Sequence, residues 1–542
     1  MFTHARKLAW PLFYGMSSVL YAQVDSQTQA APPTLQFVEN RVLVKFKNVG
    51  PDTAMPSADA LGVLGTVNGT VVRTIGDLGV QVVETTLPVQ QAIEKLTQSG
   101  SVEYAEPDYI VHTAATIPSD PFFGNLWGLN NIGQFGGTPD ADIDAPEAWD
   151  VSTDSSETIV GVVDTGVDYT HSDLADNMWT NPHEIAGNGI DDDANGFIDD
   201  VYGADFCSGT NCADSIPGRD GNPMDEMTGT YHGTHVGGTI GAKGDNNLGV
   251  VGVAWKAKIM ALRFLDAGGS GSISDAAAAV NYALNIMAAN GYKRMVLNNS
   301  WGGGGYSQTL YDAINRAKKK NVLFIAAAGN NYQNNDINLF YPAAYDLDNV
   351  IVVGATNFND AKPGFSNWGC SGVDLSAPGE NIYSTKRGNA YQYLSGTSMA
   401  TPHVAGMSAL VWSLHSGEKW QAVKSALMNS ADPNTALAGM SVVQGRANLP
   451  LAISAGAFDE PTVWNVNPRS AKPGKKIAIS GYNFGATPGG VTVNGVPATV
   501  VNWGASTIKA KLGVGTPAGM GKVQVIRADA NIGEVGACFT VN

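Results

Sequence analysis

The run Thr158–Asp168, TIVGVVDTGVD, decides the fold. Its apolar residues are consecutive rather than alternating, which marks a strand buried on both faces, and the glycine after Asp164 ends it in a turn. The same texture returns in KIMALRFL (258–265), RMVLNNSWG (294–302), NVLFIAAAGN (321–330) and NVIVVGAT (349–356). Helical stretches lie between them. The plainest is SDAAAAVNYALNIMAANG (274–291), with Ser274 expected as cap and Gly291 as stop. Doubly buried strands separated by helices predict an α/β domain, a parallel sheet with helices on both faces. Such sheets gather ligands at the carboxyl ends of their strands, which singles out Asp164, Asn330 and the stretch from Ser300 to Gly305.

Outward from this core the texture changes on both sides. RVLVKFKNVG (41–50) alternates as a strand does, and LPVQQAIEKLTQSGSVEYAEPDYIVH (87–112) reads as helix then strand, so a small α+β unit precedes the main domain. Before it, MFTHARKLAWPLFYGMSSVLYAQ sets Arg6 and Lys7 ahead of an apolar stretch that ends in small residues. That is the pattern of a secretory signal; the stretch is too short and interrupted to span a bilayer, and no later run qualifies. After about Ala457, short strands and turns predict an all-β sandwich. The expected division is a signal at 1–22, the α+β unit at 23–114, the α/β domain at 115–457 and the sandwich at 458–542.

Composition bounds the function. A chain of 542 residues with 44% hydrophobic and 15% charged residues is globular and exceeds one core. A net charge of −17 with no Lys/Arg-rich run disfavours a nucleic-acid partner. Four cysteines suit an exported protein: Cys207 and Cys212 are close enough for a local disulfide, whereas a Cys370–Cys538 bridge stays open.

Three separated strings carry chemistry: VVDTGVD with Asp164, YHGTHVGG with His232, and SGTSMATPHVAG with Ser398. Locally, Ser398 serves equally well as a helix cap or as a nucleophile favoured by helix N-terminal amides. Its partners decide. A serine hydroxyl needs a base, and a histidine held by a buried carboxylate supplies one. The order Asp, His, Ser and the absence of a G-x-S-x-G elbow count against an esterase, and the complete set counts against an inert adhesion scaffold. His235 and His403, in the same strings, read as packing residues.

A fourth string, GNGIDDDANGFIDD (187–200), sets oxygen ligands at alternating positions: Asp191, Asp193, Asn195, then Asp199 and Asp200. Hard oxygen donors at this spacing suit Ca2+, although the last EF-hand position is Tyr202 rather than glutamate.

At these residues the sequence resembles the subtilases, the subtilisin-like serine endopeptidases, from Asp120 to about Ala457. GTSMATPHVAG agrees with their nucleophile motif throughout; HGTHVGG carries Gly237 where alanine is commoner, and DTGVDYTHSDL carries Ser172 where proline is. The resemblance implies a subtilisin-like α/β fold in which Asp164 orients, His232 is the general base and Ser398 attacks. It implies that Asn330 and the Ser398 N–H bind the oxyanion. Ser300, Trp301 and Gly302 would belong to a strand that pairs with an extended polypeptide substrate, and Phe340 in FYPAA would form the base of the pocket for the residue before the cut, with Tyr341–Pro342 cis. The family's tight calcium site maps onto Asp120, Asp173 and Asn246. Residues 23–114 resemble its propeptide, an intramolecular inhibitor and folding aid released near Ala114. Residues 458–542 resemble Ig-like domains of the plexin and transcription-factor type, either a spacer or a binding module using Tyr482 or Trp503. The expectation is a secreted, monomeric, calcium-stabilised protease made as an autoprocessed precursor.

Overall fold

The computed structural model describes residues 37–47, 58–109, 116–208, 212, 220–226, 229–529 and 532–542. The expected signal and the cleavage point near Ala114 lie outside the described residues. Two compact units, 1–114 and 115–542, make up the chain. In the first, strands β1 (Phe37–Phe46), β2 (Thr70–Ile75), β3 (Val80–Glu84) and β4 (Val102–Tyr109) form an antiparallel sheet in the order β2-β3-β1-β4. Helices α1 (Ala58–Gly65) and α2 (Val89–Gln98) cover it, α2 burying Val89, Ala92 and Leu96 in a core shared with Val42 and Val44.

The second unit is organised by a nine-stranded sheet. Its strands are β5 (Asp154–Asp164), β6 (Gly203–Asp205), β7 (Lys256–Arg263), β8 (Met295–Asn299), β9 (Val322–Ala327), β10 (Val350–Thr356) and β11 (Leu375–Pro378). After a hairpin of β12 (Ile382–Lys386) and β13 (Ala390–Leu394), the edge is completed by β14 (Asp432–Pro433) and β15 (Gly445–Arg446). The order β14-β15-β11-β10-β9-β8-β5-β7-β6 is parallel except for the β14–β15 pair. The chain starts at β5 and winds both ways, so the carboxyl end of β5 lies at the switch point where such sheets bind ligands.

Alternation along β5 explains the two cores. Val160 and Val162 face one core with α4 (His232–Gly241) and α7 (Thr397–Leu414), while Ile159 and Val163 face the other with α5 (Ile273–Ala289) and α6 (Gln308–Lys319). Asp164, in phase with Val162, belongs to the α4–α7 side. Helix α5 begins two residues earlier than its sequence predicts: Ser272, not Ser274, accepts the Asp275 N–H as cap, and the Ser274 hydroxyl bonds the Ser272 hydroxyl. Cys207 and Cys212 form a disulfide. Cys370 is also disulfide-bonded, and the Cys538 side chain lies outside the described residues.

The C-terminal sandwich packs a sheet of β16 (Thr462–Asn467), β18 (Lys476–Tyr482), β21 (Thr499–Trp503) and β22 (Thr507–Lys511) on a second one. The second holds β17 (Ser470–Ala471), β19 (Gly490–Val493), β20 (Val496–Pro497), β23 (Gly519–Ile526) and β24 (Ile532–Val541). It packs directly on the α/β domain. Val463 and Trp464 of β16 enter the same core as Trp420 and Val423 of α8 (Trp420–Asn429), with the two indoles 5.6 Å apart. The Lys424 ammonium lies 5.4 Å over the Trp464 ring, and Arg469 pairs with Asp336 at 3.2 Å. Among the described residues, no helix is long and apolar enough to cross a membrane.

Candidate active site

Asp164 closes β5 with its side chain wholly buried, so its charge needs partners. Its Oδ1 accepts the Thr165 N–H and faces His232 Nδ1, both at 2.8 Å. His232 is the first residue of α4, preceded by Tyr231 in the left-handed region at φ 54°, a conformation costly for a side chain with a Cβ. That turn aims the imidazole back at the strand end.

A further carboxylate, absent from the sequence reading, lies behind this pair. Asp225 is buried and accepts both the N–H and the hydroxyl of Thr234, at 3.2 and 2.7 Å. Burial pushes its pKa up to about 6 despite those bonds. Burial alone would lower the His232 pKa, but the charge and hydrogen bond of Asp164, with the charge of Asp225, outweigh it and leave the imidazole above its ordinary 6.5. Only the neutral imidazole can take a proton, so activity should fall as pH drops through that raised value. Asp225→Asn removes one of the charges holding it up. The acid limb of kcat/KM against pH should therefore move to lower pH; an unmoved or more alkaline limb would detach Asp225 from the base. His235 and His403 are both buried, and burial lowers their pKa values to about 3 and about 4, as packing histidines require.

Ser398 is the second residue of α7 and does not cap it; Gly396 holds the cap position without a side-chain bond. The Ser398 hydroxyl donates to the Ser300 carbonyl at 2.9 Å, while the Ser300 hydroxyl donates to the Ser398 carbonyl at 2.8 Å. This reciprocal pair fastens the start of α7 to the end of β8. Asn330, just past β9, has its Oδ1 taken by the N–H and hydroxyl of Thr397, at 2.9 and 3.0 Å. That fixes which way the amide nitrogen faces. A Cβ added at Gly396 would lie 3.2 Å from Asn330 Nδ2 and 3.5 Å from the Ser398 nitrogen, so the glycine leaves open a space that two donors share. Hydrogen-bond donors so placed suit a developing oxyanion.

Gly302 approaches Phe340 so closely that a Cβ there would overlap the ring, and a Cβ at Gly329 would lie 3.2 Å from Phe340 Cδ1. The ring thus fills the space between the Ser300–Gly302 segment and the Asn330 loop. Trp301 packs edge-on against Phe264 at 4.8 Å, the Gly303 N–H donates to the Tyr341 carbonyl at 2.8 Å, and Tyr341–Pro342 is cis.

The cation candidates separate. Asp120 is buried; its Oδ2 accepts the Asp245 N–H at 2.7 Å, but its Oδ1 has no partner among the described residues. Burial, assisted by the Asp173 charge, raises its pKa to about 6. Asp173 is buried beside it and accepts from Asn246 Nδ2 at 3.0 Å and from the Val250 N–H at 2.9 Å. A buried carboxylate oxygen lacking a donor, as Asp120 Oδ1 is, fits a hard cation. In the 187–200 loop the side chains that converge are only partly those the spacing suggests. Side-chain oxygens of Glu184, Asp193 and Asp200 lie within 4.8 Å of one another, and Glu184 was not anticipated. Asp191 and Asp199 instead cap backbone: Asp191 accepts the Asn195 and Gly196 N–H groups, and Asp199 those of Gly187, Asn188 and Gly189. Asn195 donates to Asp200 at 2.8 Å, bracing the cluster from outside.

Residues 155–451 match the Subtilase family, described as Peptidase_S8; residues 23–108 match the fervidolysin N-terminal prodomain, and 461–541 the IPT/TIG domain. A thermophilic serine proteinase of Bacillus sp. (strain AK1) is 36% identical over 345 residues, covering 64% of this chain and 71% of the relative. An extracellular protease of Xanthomonas campestris is 36% identical over 341 residues, covering 59% of this chain and 54% of the relative. Among solved structures, one titled as proteases from Pseudoalteromonas arctica PAMC 21717 superposes with a TM-score of 0.52 at 28% identity, covering 63% of this chain and all of that one.

Proposed function

We infer, from the premise that the chain belongs to the subtilase family of serine endopeptidases and carries a family prodomain, that it is a secreted enzyme cutting polypeptides through Asp164, His232 and Ser398. The observation that carries the reading is the 2.8 Å contact of His232 Nδ1 with the buried Asp164 carboxylate at the carboxyl end of β5. Asp164 fixes the tautomer that leaves Nε2 unprotonated. Rotation of the Ser398 hydroxyl away from the Ser300 carbonyl brings its proton to Nε2 as Oγ attacks the scissile carbonyl. The oxyanion is received by Asn330 Nδ2 and the Ser398 N–H; the imidazolium then protonates the departing amine, and water repeats the sequence to free the acid.

Substrate lies extended along Ser300–Gly302, pairing backbone to backbone beside Trp301. With Phe340 occupying the pocket floor, the residue before the cut is small. The prodomain inhibits in cis until cleaved near Ala114. Calcium, when bound, supplies positive charge to the carboxylates of Asp120 and Asp173, with Asn246 beside them, and to the Glu184–Asp193–Asp200 cluster. The N-terminal signal pattern, and the Xanthomonas relative's description as extracellular, support export. The mature enzyme acts as a monomer.

A randomised peptide library tests the reading. Native protein should cut after Gly, Ala or Ser, and Phe340→Gly should gain at least roughly tenfold on peptides with Phe at that position, since emptying the floor admits a ring. No internal cleavage by either protein would sink the function; native preference for Phe or Tyr would sink the place given to Phe340.

A further inference from the structure

The chain's negative charge is unevenly spread. Residues 461–542 hold eight lysines and arginines against two acids, a net of +6, so the remainder carries −23. The basic residues are also concentrated. On β18, Ile477, Ile479 and Gly481 face the sandwich core, so Lys476, Ala478, Ser480 and Tyr482 form the outer face; on β22 the same alternation puts Thr507, Lys509 and Lys511 outward. Lys476 stands directly opposite Lys511, and Lys509 follows two residues away on the same face. Lys472 and Lys475 adjoin them, the Lys475 carbonyl accepting the Leu512 N–H at 2.9 Å.

All five lysines are exposed, and among the described residues none has a side-chain hydrogen bond or an ion pair. The four strands of this sheet contain no Asp or Glu. Like charges directly opposite in a sheet are unfavourable, and among the described residues no acidic side chain pairs with them. The Tyr482 end of the face is covered, its ring stacked on Trp464 at the junction with α8; the lysine end is open.

We propose that this end of the sheet docks the protein onto an anionic polysaccharide bearing carboxylate groups. Opposed and alternate positions on a sheet set the lysines roughly 5 Å apart across it and 7 Å along it, a flat charge array suited to an extended acidic glycan. The uncharged outward neighbours on β21 are a hydroxyl and an amide, Thr499 beside Lys511 and Asn502 beside Lys509, groups that pair with sugar hydroxyls, and the small Ala478 opposite Lys509 leaves them accessible. Nucleic acid fits less well. The lysine cluster contains no arginine fork for phosphate and no aromatic side chain on which a base could stack. A membrane surface fits less well too, since the exposed large apolar side chains near the cluster are two valines, Val501 and Val514, with no exposed aromatic or leucine side chain among them to insert into a bilayer. The sequence-wide charge hid this face, because the acidic protease residues outweigh it.

The test uses the full chain carrying Ser398→Ala, which prevents self-digestion, and polygalacturonate as the probe. At about 50 mM salt the protein should bind and should be released by about 0.5 M. Lys476→Ala, Lys509→Ala and Lys511→Ala together should weaken binding by at least roughly tenfold, while the triple Lys→Arg variant keeps it and both keep the parent's melting temperature. In the Ser398 background these readouts are independent of proteolysis. No binding, binding indifferent to the triple alanine variant, or tighter binding to duplex DNA or phosphatidylserine vesicles than to polygalacturonate would overturn the proposal.

Discussion

Ser398→Ala is expected to lower kcat/KM on a peptide substrate by at least about 10,000-fold and to leave the chain at full length with residues 23–114 attached. The two effects have one cause. On the proposed mechanism, peptide-bond attack needs the hydroxyl that His232 deprotonates, and removal of the prodomain in cis would itself be such an attack. What survives the mutation is the space at Gly396 with its two donors, which accounts for a residual rate above water. Unfolding cannot mimic the result. The hydroxyl donates one hydrogen bond, to the Ser300 carbonyl, whose loss costs about 1 kcal/mol, and the reciprocal bond from Ser300 to the Ser398 carbonyl remains. The melting temperature should thus stay within a few degrees of the native precursor's. Intact mass and peptide hydrolysis measured on the same preparation decide the matter. A mutant that trims itself at the native rate would remove Ser398 from the mechanism.

The α/β domain was legible because doubly buried strands such as Thr158–Asp164 are continuous apolar runs, and Asp164, His232 and Ser398 stand out as candidates because each sits in a string with its own local pattern. What escaped the sequence depends on distance along the chain. Asp225 is seven residues from His232 and becomes its neighbour only when Thr234 folds back onto it. Glu184 precedes the acidic loop and joins it through the Asp192 and Asp193 N–H groups, at 3.0 and 3.3 Å, whereas alternation alone suggested Asp191 and Asp199. Those two satisfy backbone amides in tight turns, a demand invisible without the turn. The helix cap fell on Ser272 because its extended backbone at ψ 152° admits the Asp275 N–H, while Ser274 is already inside the helix. The sandwich read as a separate module because its own strands alternate cleanly. Val463 and Trp464 are adjacent apolar residues that one sheet face cannot absorb, and their second destination is α8.

Calcium removal should produce the largest change in stability, roughly 10 °C in melting temperature, because an ion held at about a thousand times its Kd contributes about 4 kcal/mol and the proposal places two such ions. A loss of that size also follows if chelation merely perturbs the protein, so the decisive comparison is Asp120→Asn. The amide keeps an oxygen for the Asp245 N–H and nearly the same volume, but removes the charge. With calcium present, the variant should melt below the native protein, having lost a ligand. In chelator the order should close or reverse: native Asp120 then carries a buried carboxylate with an unpartnered Oδ1 next to Asp173, the burden that raises its pKa to about 6, and the variant does not. A structural role without the ion predicts equal destabilisation in both conditions, and that outcome would sink the site. Glu184→Gln should behave the same way at the second cluster, since removing one of three converging carboxylates relieves repulsion only when no cation is there to offset it. Catalysis at low temperature should be untouched in both variants, because neither residue contacts Asp164, His232 or Ser398; what shortens is the time before the loosened loops become substrates of the enzyme itself.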